Sequence, residues 1–261
     1  MTRLQWDNVG ERFFEVGVDR CVLYIPEGEY GVGYPWSGVT AITESADEAS
    51  TPYFLDGVKY MDVETFGEFK GMLKAFTYPD QFEQFVGIAE EAGLLFDDQP
   101  HKVFHLSYRT KIGNDVDGVN HGYKIHILWN VTAIPDTVSH QTINDTTEPV
   151  EFSWSLLAQP QPLVGARPTA HVILDSTELA PGLLSYFEDM LYGTETDNAF
   201  VRSLQDLIDM LTLTIVDNGD GTWTITTTSA DDITLVDGEF SINDIPATYL
   251  DADTFTMDTT V

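Results

Sequence analysis

The sequence predicts a mainly β protein with helices after residue 175 and a small acidic β appendage beyond residue 212. Three observations predict it. Between Val16 and Ile173, short runs rich in Val, Ile, Thr, Tyr, Phe and Trp are separated by Gly, Pro, Asn and Asp, the pattern of strands joined by turns. From Ser176 the apolar spacing becomes that of a helix face. Further on, short β runs return in a stretch where, after Arg202, no lysine or arginine occurs while twelve acids follow, from Asp206 to Asp258.

In chain order, the expected strands are Val16–Ile25, Trp36–Glu44, Tyr53–Val63, Phe69–Thr77, Lys102–Ile112, Gly122–Ile134, Val150–Gln159 and Thr169–Asp175. The polar segment Gly113 to Asn120 supplies the turn residues for a hairpin between the fifth and sixth of these. Alternation of Tyr123, Ile125, Ile127 and Trp129 makes the sixth a two-sided strand. The mixed run Asp47 to Pro52 reads as a loop able to reach beyond its own domain. A short helix is expected over Pro79–Ala92, with Pro79 first and Phe82, Phe85, Val86 and Ala89 on one face. Pro181 is placed to start another, with Leu183, Leu184, Phe187, Met190 and Leu191 inward. A further helix is expected from Asn198, facing inward with Val201, Leu204, Leu207, Ile208 and Leu211. The last runs are Leu213–Val216, Thr222–Thr228, Ile233–Val236, Phe240–Ile242 and Phe255–Met257, with Asp217 to Gly221 as a turn. Three regions result: a β core over 1–175, a helical segment over 176–211 and the acidic appendage over 212–261.

The net charge is −31, from 43 acids against 12 bases, yet 43% of residues are hydrophobic and 12% aromatic, too many for a disordered acidic chain. Without a basic stripe to displace counterions from phosphates, nucleic-acid binding is disfavoured. The single cysteine, Cys21, excludes an internal disulfide and sits in the apolar run Val22 to Ile25, where it reads as a small buried hydrophobe. The N-terminal residues lack the apolar run of a signal peptide, and no stretch approaches the ~20 apolar residues of a membrane span, so folding in the cytoplasm is expected.

Few residues ask for chemistry. Asp217-Asn218-Gly219-Asp220-Gly221 has the alternating oxygens of a calcium loop, but lacks its distal Glu and is equally a tight hairpin turn. His101, His105, His121 and His126 fall in one predicted hairpin; scattered hairpin histidines are more often surface or core residues, and no metal is assigned. Neither a catalytic residue nor a cofactor is assigned, because no nucleophile elbow, phosphate loop or dinucleotide fingerprint occurs and abundant carboxylates make any pair uninformative. Trp6, Tyr30, Tyr34, Trp36, Tyr53, Tyr60, Tyr78 and Trp154 can be read as a sugar-stacking face or as core and subunit-interface packing, the second being more common in β domains.

An ordered series of segments carries a resemblance. It runs through Trp6-Asp7, Arg12, Phe14 to Arg20, Val22-Leu23-Tyr24, Tyr30-Gly31-Val32, Trp36-Ser37-Gly38-Val39, Glu44-Ser45 and Pro52 to Tyr60. It continues through Ala75 to Asp80, Leu106 to Thr110, Tyr123 to His126, Phe152-Ser153-Trp154 and Arg167 to Asp175. Over roughly residues 6 to 175 the chain resembles the major tail proteins of long non-contractile-tailed phages, in particular those infecting actinobacteria.

The resemblance implies a β-sandwich or barrel with a flanking helix, similar to the Hcp tube protein of type VI secretion systems. It implies rings of this chain, usually hexamers, stacked into a hollow tail tube that is assembled in the host cytoplasm and conducts DNA during ejection. The implied partners are other copies of the chain, a tape measure protein in the lumen, a tail terminator, and distal tail or baseplate proteins. DNA is expected only in passage, and a membrane not at all. Ring stacking is head-to-tail and needs an extended element docking on the next ring. The candidates are the region Asp47–Tyr60, with Asp47, Pro52, Tyr53, Asp56, Lys59 and Tyr60 as its residues, and the termini. An acidic lumen is expected, since a like-charged wall does not trap DNA. The competing reading is a carbohydrate-binding or adhesion β module of a phage or bacterial surface; an acid/base hydrolase ranks third.

Overall fold

Backbone hydrogen bonding in the computed structural model gives a predominantly β chain, described over residues 4–28, 30–45, 49–65, 68–140, 142, 149–164, 166–179, 181–211, 214–217, 223–226, 233–236, 239–242 and 245–246. The elements begin with β1 (Phe14–Glu27), β2 (Tyr30–Pro35), β3 (Val39–Ser45), β4 (Ala49–Leu55), β5 (Val58–Thr65) and β6 (Phe69–Ala75). A 3₁₀ turn at Asp80–Phe85 precedes β7 (Ala89–Glu91) and β8 (Leu94–Phe96). Next come β9 (Phe104–Asn114), β10 (Gly118–Pro135), β11 (Phe152–Ala158), β12 (Gln161–Leu163), β13 (Ala166–Thr169) and β14 (His171–Asp175). Helix α1 (Pro181–Tyr192), β15 (Phe200–Val201) and α2 (Leu204–Leu211) complete the main body. The C-terminal region holds β16 (Thr214–Asp217) paired with β17 (Trp223–Thr226), and β18 (Ile233–Val236), β19 (Glu239–Ile242) and β20 (Ile245–Pro246) in a second small sheet.

The main sheet runs β15-β2-β1-β9-β10 and then divides. One edge of β10 pairs with β9. The other edge pairs with β14 over Lys124–Leu128 and with β11 over Val131–Pro135. From β11 the order continues through β6 to β3. The change of partner occurs at Asn130, a non-glycine residue at φ 49. This left-handed residue shifts the strand's alternation, so Ile125, Ile127 and Trp129 face one core while Leu128, Val131 and Ala133 face the other. Its N–H would be orphaned by the distortion, and His105 Nδ1 accepts it at 3.1 Å. In β1, Arg20 at φ 46 makes the same kind of shift, separating Val18, Cys21 and Leu23 from Val22 and Tyr24.

Three layers follow. Between the two arms of the sheet lies a core of Leu23, Leu73, Phe82, Phe85, Phe104, Leu106, Leu128 and Leu156. Trp36 and Trp154 close one end of it, ring centroids 5.6 Å apart in an edge-to-face pair, and Trp36 Nε1 donates to Thr77 O. On the outer face, Tyr186, Phe187, Met190 and Leu191 of α1 and Leu204 and Leu207 of α2 cover Val22, Tyr24, Ile125, Ile127 and Trp129. Tyr24 fastens this layer: its hydroxyl donates to Leu191 O at 2.8 Å and lies 3.0 Å from Ser107 Oγ. Arg20 adds an ion pair to Glu188 and lies over the Tyr192 ring.

The expected elements are largely found, with instructive shifts. Tyr53–Val63 is two strands, because Asp56 and Gly57 both have positive φ and form a tight turn. Trp36 begins no strand; it is buried between the end of β2 and the Ser37-Gly38 turn that leads into β3. The helix expected over Pro79–Ala92 stops at Phe85, where Gly87 at φ 77 leaves the helical region, and Ala89 onward forms a hairpin. The second late helix begins at Leu204, after Phe200 and Val201 have paired with β2. Phe255–Met257 lies outside the described residues.

Candidate assembly surface

The hairpin of β4 and β5 is built by its own sequence. Apolar and β-prone residues flank Asp56-Gly57, whose positive φ angles, 51 and 77, match the right-handed twist of a two-residue hairpin. Leu55 faces Val58, Tyr53 faces Met61 and Pro52 faces Asp62, with an irregularity between Tyr53 and Phe54. This ribbon forms a sheet of its own. An isolated two-stranded ribbon is marginal in water. Yet Phe54 is 61% exposed, Val58 70% and Tyr60 67%, and Tyr53, Leu55 and Met61 are also exposed. Contiguous exposed apolar residues mark a contact surface.

Of the stacking candidates, Pro52, Tyr53, Asp56, Lys59 and Tyr60 lie on this hairpin, and Asp47 lies outside the described residues. Lys59 pairs with Asp62 at 2.5 Å in the open, an interaction of small energetic value. Phe54, Leu55 and Val58 fall inside the same candidate segment and Met61 lies one residue beyond it, all of them apolar residues flanking the Asp-Gly turn. A second exposed tip went unforeseen: β7 and β8 turn at Ala92-Gly93 and present Leu94, Leu95 and Phe96.

The edges of the main sheet are the other assembly feature. Among the described residues, β3 pairs with β6 alone and β14 with β10 alone, so each leaves one row of backbone donors and acceptors without a strand partner.

The four hairpin histidines do not converge. His101 Nδ1 lies 3.1 Å from Ala133 O, His105 accepts from Asn130, and His121 pairs with Asp117. His126 instead meets His171 of β14 and Glu44 of β3. Burial pushes His105 and His126 down from 6.5 to about 4. Cys21 is buried, and desolvation raises its thiol far above the ordinary range, which removes it as a nucleophile. Asp217 ends β16, whereas 218–221 of the calcium-like turn lie outside the described residues. The sugar-stacking aromatics are dispersed: Trp36 and Trp154 are core, Tyr78 stacks edge-on against Trp154, Tyr53 and Tyr60 are exposed on the β4–β5 hairpin, and Trp6 is exposed near the N-terminus.

No protein-family model and no curated protein matches the chain. Solved structures similar to it include the tube-terminating cap of the anti-feeding prophage, at 10% identity over 67% of this chain and 96% of that chain, TM-score 0.31. A chain of the sheath–tube complex of the extracellular contractile injection system PVC, in the extended state, is similar at 12% identity over 66% of this chain and 94% of that chain, TM-score 0.30. Similarity at these scores transfers neither fold nor role.

Proposed function

We propose that the chain is a structural subunit of a phage tail tube, forming stacked rings of identical copies around a lumen that conducts DNA, and that it performs no catalysis. The observation that carries this reading is the β4–β5 hairpin, a free-standing ribbon with exposed apolar residues at the segment singled out for docking on the next ring. The ordered sequence resemblance over residues 6 to 175 supports it independently. Ring closure has a physical basis in the unpaired edges of β3 and β14, which a neighbouring copy can extend into an inter-subunit sheet. In this reading the hexameric ring, the tape measure protein within it, the terminator and distal tail partners, and assembly in the host cytoplasm follow from the resemblance.

The lumen is acidic in this proposal. Several basic side chains are already paired with carboxylates, among them Arg12, Arg20, Lys74, Arg109 and Lys124, so the field is set by the excess of acids. Screening over about 8 Å confines the repulsion of DNA to the wall region. Negative-stain microscopy of the purified chain, alone and seeded with a tail-tip complex, tests the reading. Rings or tubes are expected; monomers under both conditions at all salt concentrations would refute it.

A further inference from the structure

We propose that Glu44, His126 and His171 bind a divalent transition-metal ion, with zinc as the best-suited occupant. The three residues come from three strands, β3, β10 and β14, and one donor atom from each lies within 4.8 Å of the others. His126 Nδ1 is 3.1 Å from His171 Nε2 and 3.4 Å from Glu44 Oε1. Two donors bound to one tetrahedral zinc at ordinary bond lengths stand about 3.3 Å apart. Those two separations are close to that value, and the third pair of side chains stands 4.0 Å apart, from His171 Nδ1 to Glu44 Oε2.

The surroundings favour the same occupant. Two imidazole nitrogens, His126 Nδ1 and His171 Nε2, face each other, an arrangement that holds either a shared proton or a shared cation. The other nitrogen of His126 lies 3.1 Å from Thr110 Oγ1, and the Tyr108 hydroxyl donates to Glu44 Oε1 at 2.6 Å, so two ligands have partners that fix their orientation. The Tyr108 ring stacks on His126 at 4.6 Å, and Phe69 meets His171 edge-on. Two nitrogens and one carboxylate suit zinc, nickel or cobalt over calcium or magnesium. His126 is 5% exposed, His171 16% and Glu44 40%, so the site opens to solvent on the Glu44 side, where a water completes the coordination.

The location gives the ion a task. β3 belongs to one arm of the divided sheet, while β14 and the half of β10 that carries His126 form the other, so the ion would clasp the arms at the Glu44 end of β3. The approach of β3 to β6 is already tight there, since a Cβ on Gly71 would stand 2.8 Å from Thr43 O.

The test uses the full chain without a polyhistidine tag, stripped with chelator and titrated with zinc by calorimetry. Cobalt serves as a second probe, its visible bands reporting nitrogen ligation. One zinc per chain is expected, with a higher melting temperature in its presence. Glu44→Gln and His171→Gln should each abolish binding, and Thr110→Val should weaken it about 10- to 100-fold. His121→Gln, remote from the site, should bind as the wild type does. If His171→Gln fails to fold, Glu44→Gln decides, because its side chain is 40% exposed. Absence of stoichiometric zinc in the wild type, or binding that survives Glu44→Gln, overturns the proposal.

Discussion

Replacing both Phe54 and Tyr60 with serine isolates the contribution of the β4–β5 hairpin to assembly. Full burial of a side chain of this size is worth about 1.5–3 kcal/mol; scaled by exposures of 61% and 67%, each contributes about 1–2 kcal/mol when a neighbouring subunit covers it. Together they supply about 2–4 kcal/mol per docking contact. At 1.4 kcal/mol per decade, the association constant falls roughly thirty-fold to several hundred-fold. Because both rings are exposed in the lone subunit, its own stability should change by no more than about 0.5 kcal/mol. The critical concentration for tube growth, measured by light scattering and confirmed by microscopy, should rise by that factor while the urea midpoint stays put. An unchanged critical concentration refutes the docking assignment. A matching loss of subunit stability would instead make the hairpin part of the fold.

Two further outcomes follow from the core. Tyr24→Phe deletes the hydroxyl shared by Leu191 O and Ser107 Oγ, leaving buried partners unpaired at a cost of about 1–3 kcal/mol; equal urea stability of mutant and wild type would contradict it. For His105, burial lowers the folded value from 6.5 to about 4, so the unfolded chain takes up a proton first as pH falls. Its contribution is whole above pH 6.5 and declines toward pH 4, by up to about 3 kcal/mol. His105→Gln should therefore flatten the loss of stability between pH 7.5 and 5, and an unchanged slope would exclude the mechanism.

Much of the fold was legible in local signals. β9 and β10 follow from alternation, and a hairpin between them from the turn residues of Gly113–Asn120, although the strands extend into that loop and leave only Asp115–Asp117 as the turn; α1 follows from Pro181 and the spacing of Phe187, Met190 and Leu191. The helix expected after Pro79 was overruled by Gly87 and by the turn at Ala92-Gly93, where positive φ favours a hairpin. The histidine and glutamate cluster was not legible. His126 and His171 are 45 residues apart and meet only because β10 pairs antiparallel with β14. Glu44 arrives from the far arm of the sheet, a placement that no local spacing encodes.

The left-handed turn at Asn130 makes β10 common property of both arms of the sheet. Tension applied to either arm therefore passes to the other through covalent backbone, where sandwiches of separate sheets depend on side chains that can slip. Peeling away β11 or β14 strips half of one edge of the same strand, so neither arm can open while the other stays protected. Hydrogen exchange should register a single cooperative block across β9, β10, β11 and β14. In the proposed tube, that would make each subunit one stiff unit, and bending would be taken up at the contacts between copies.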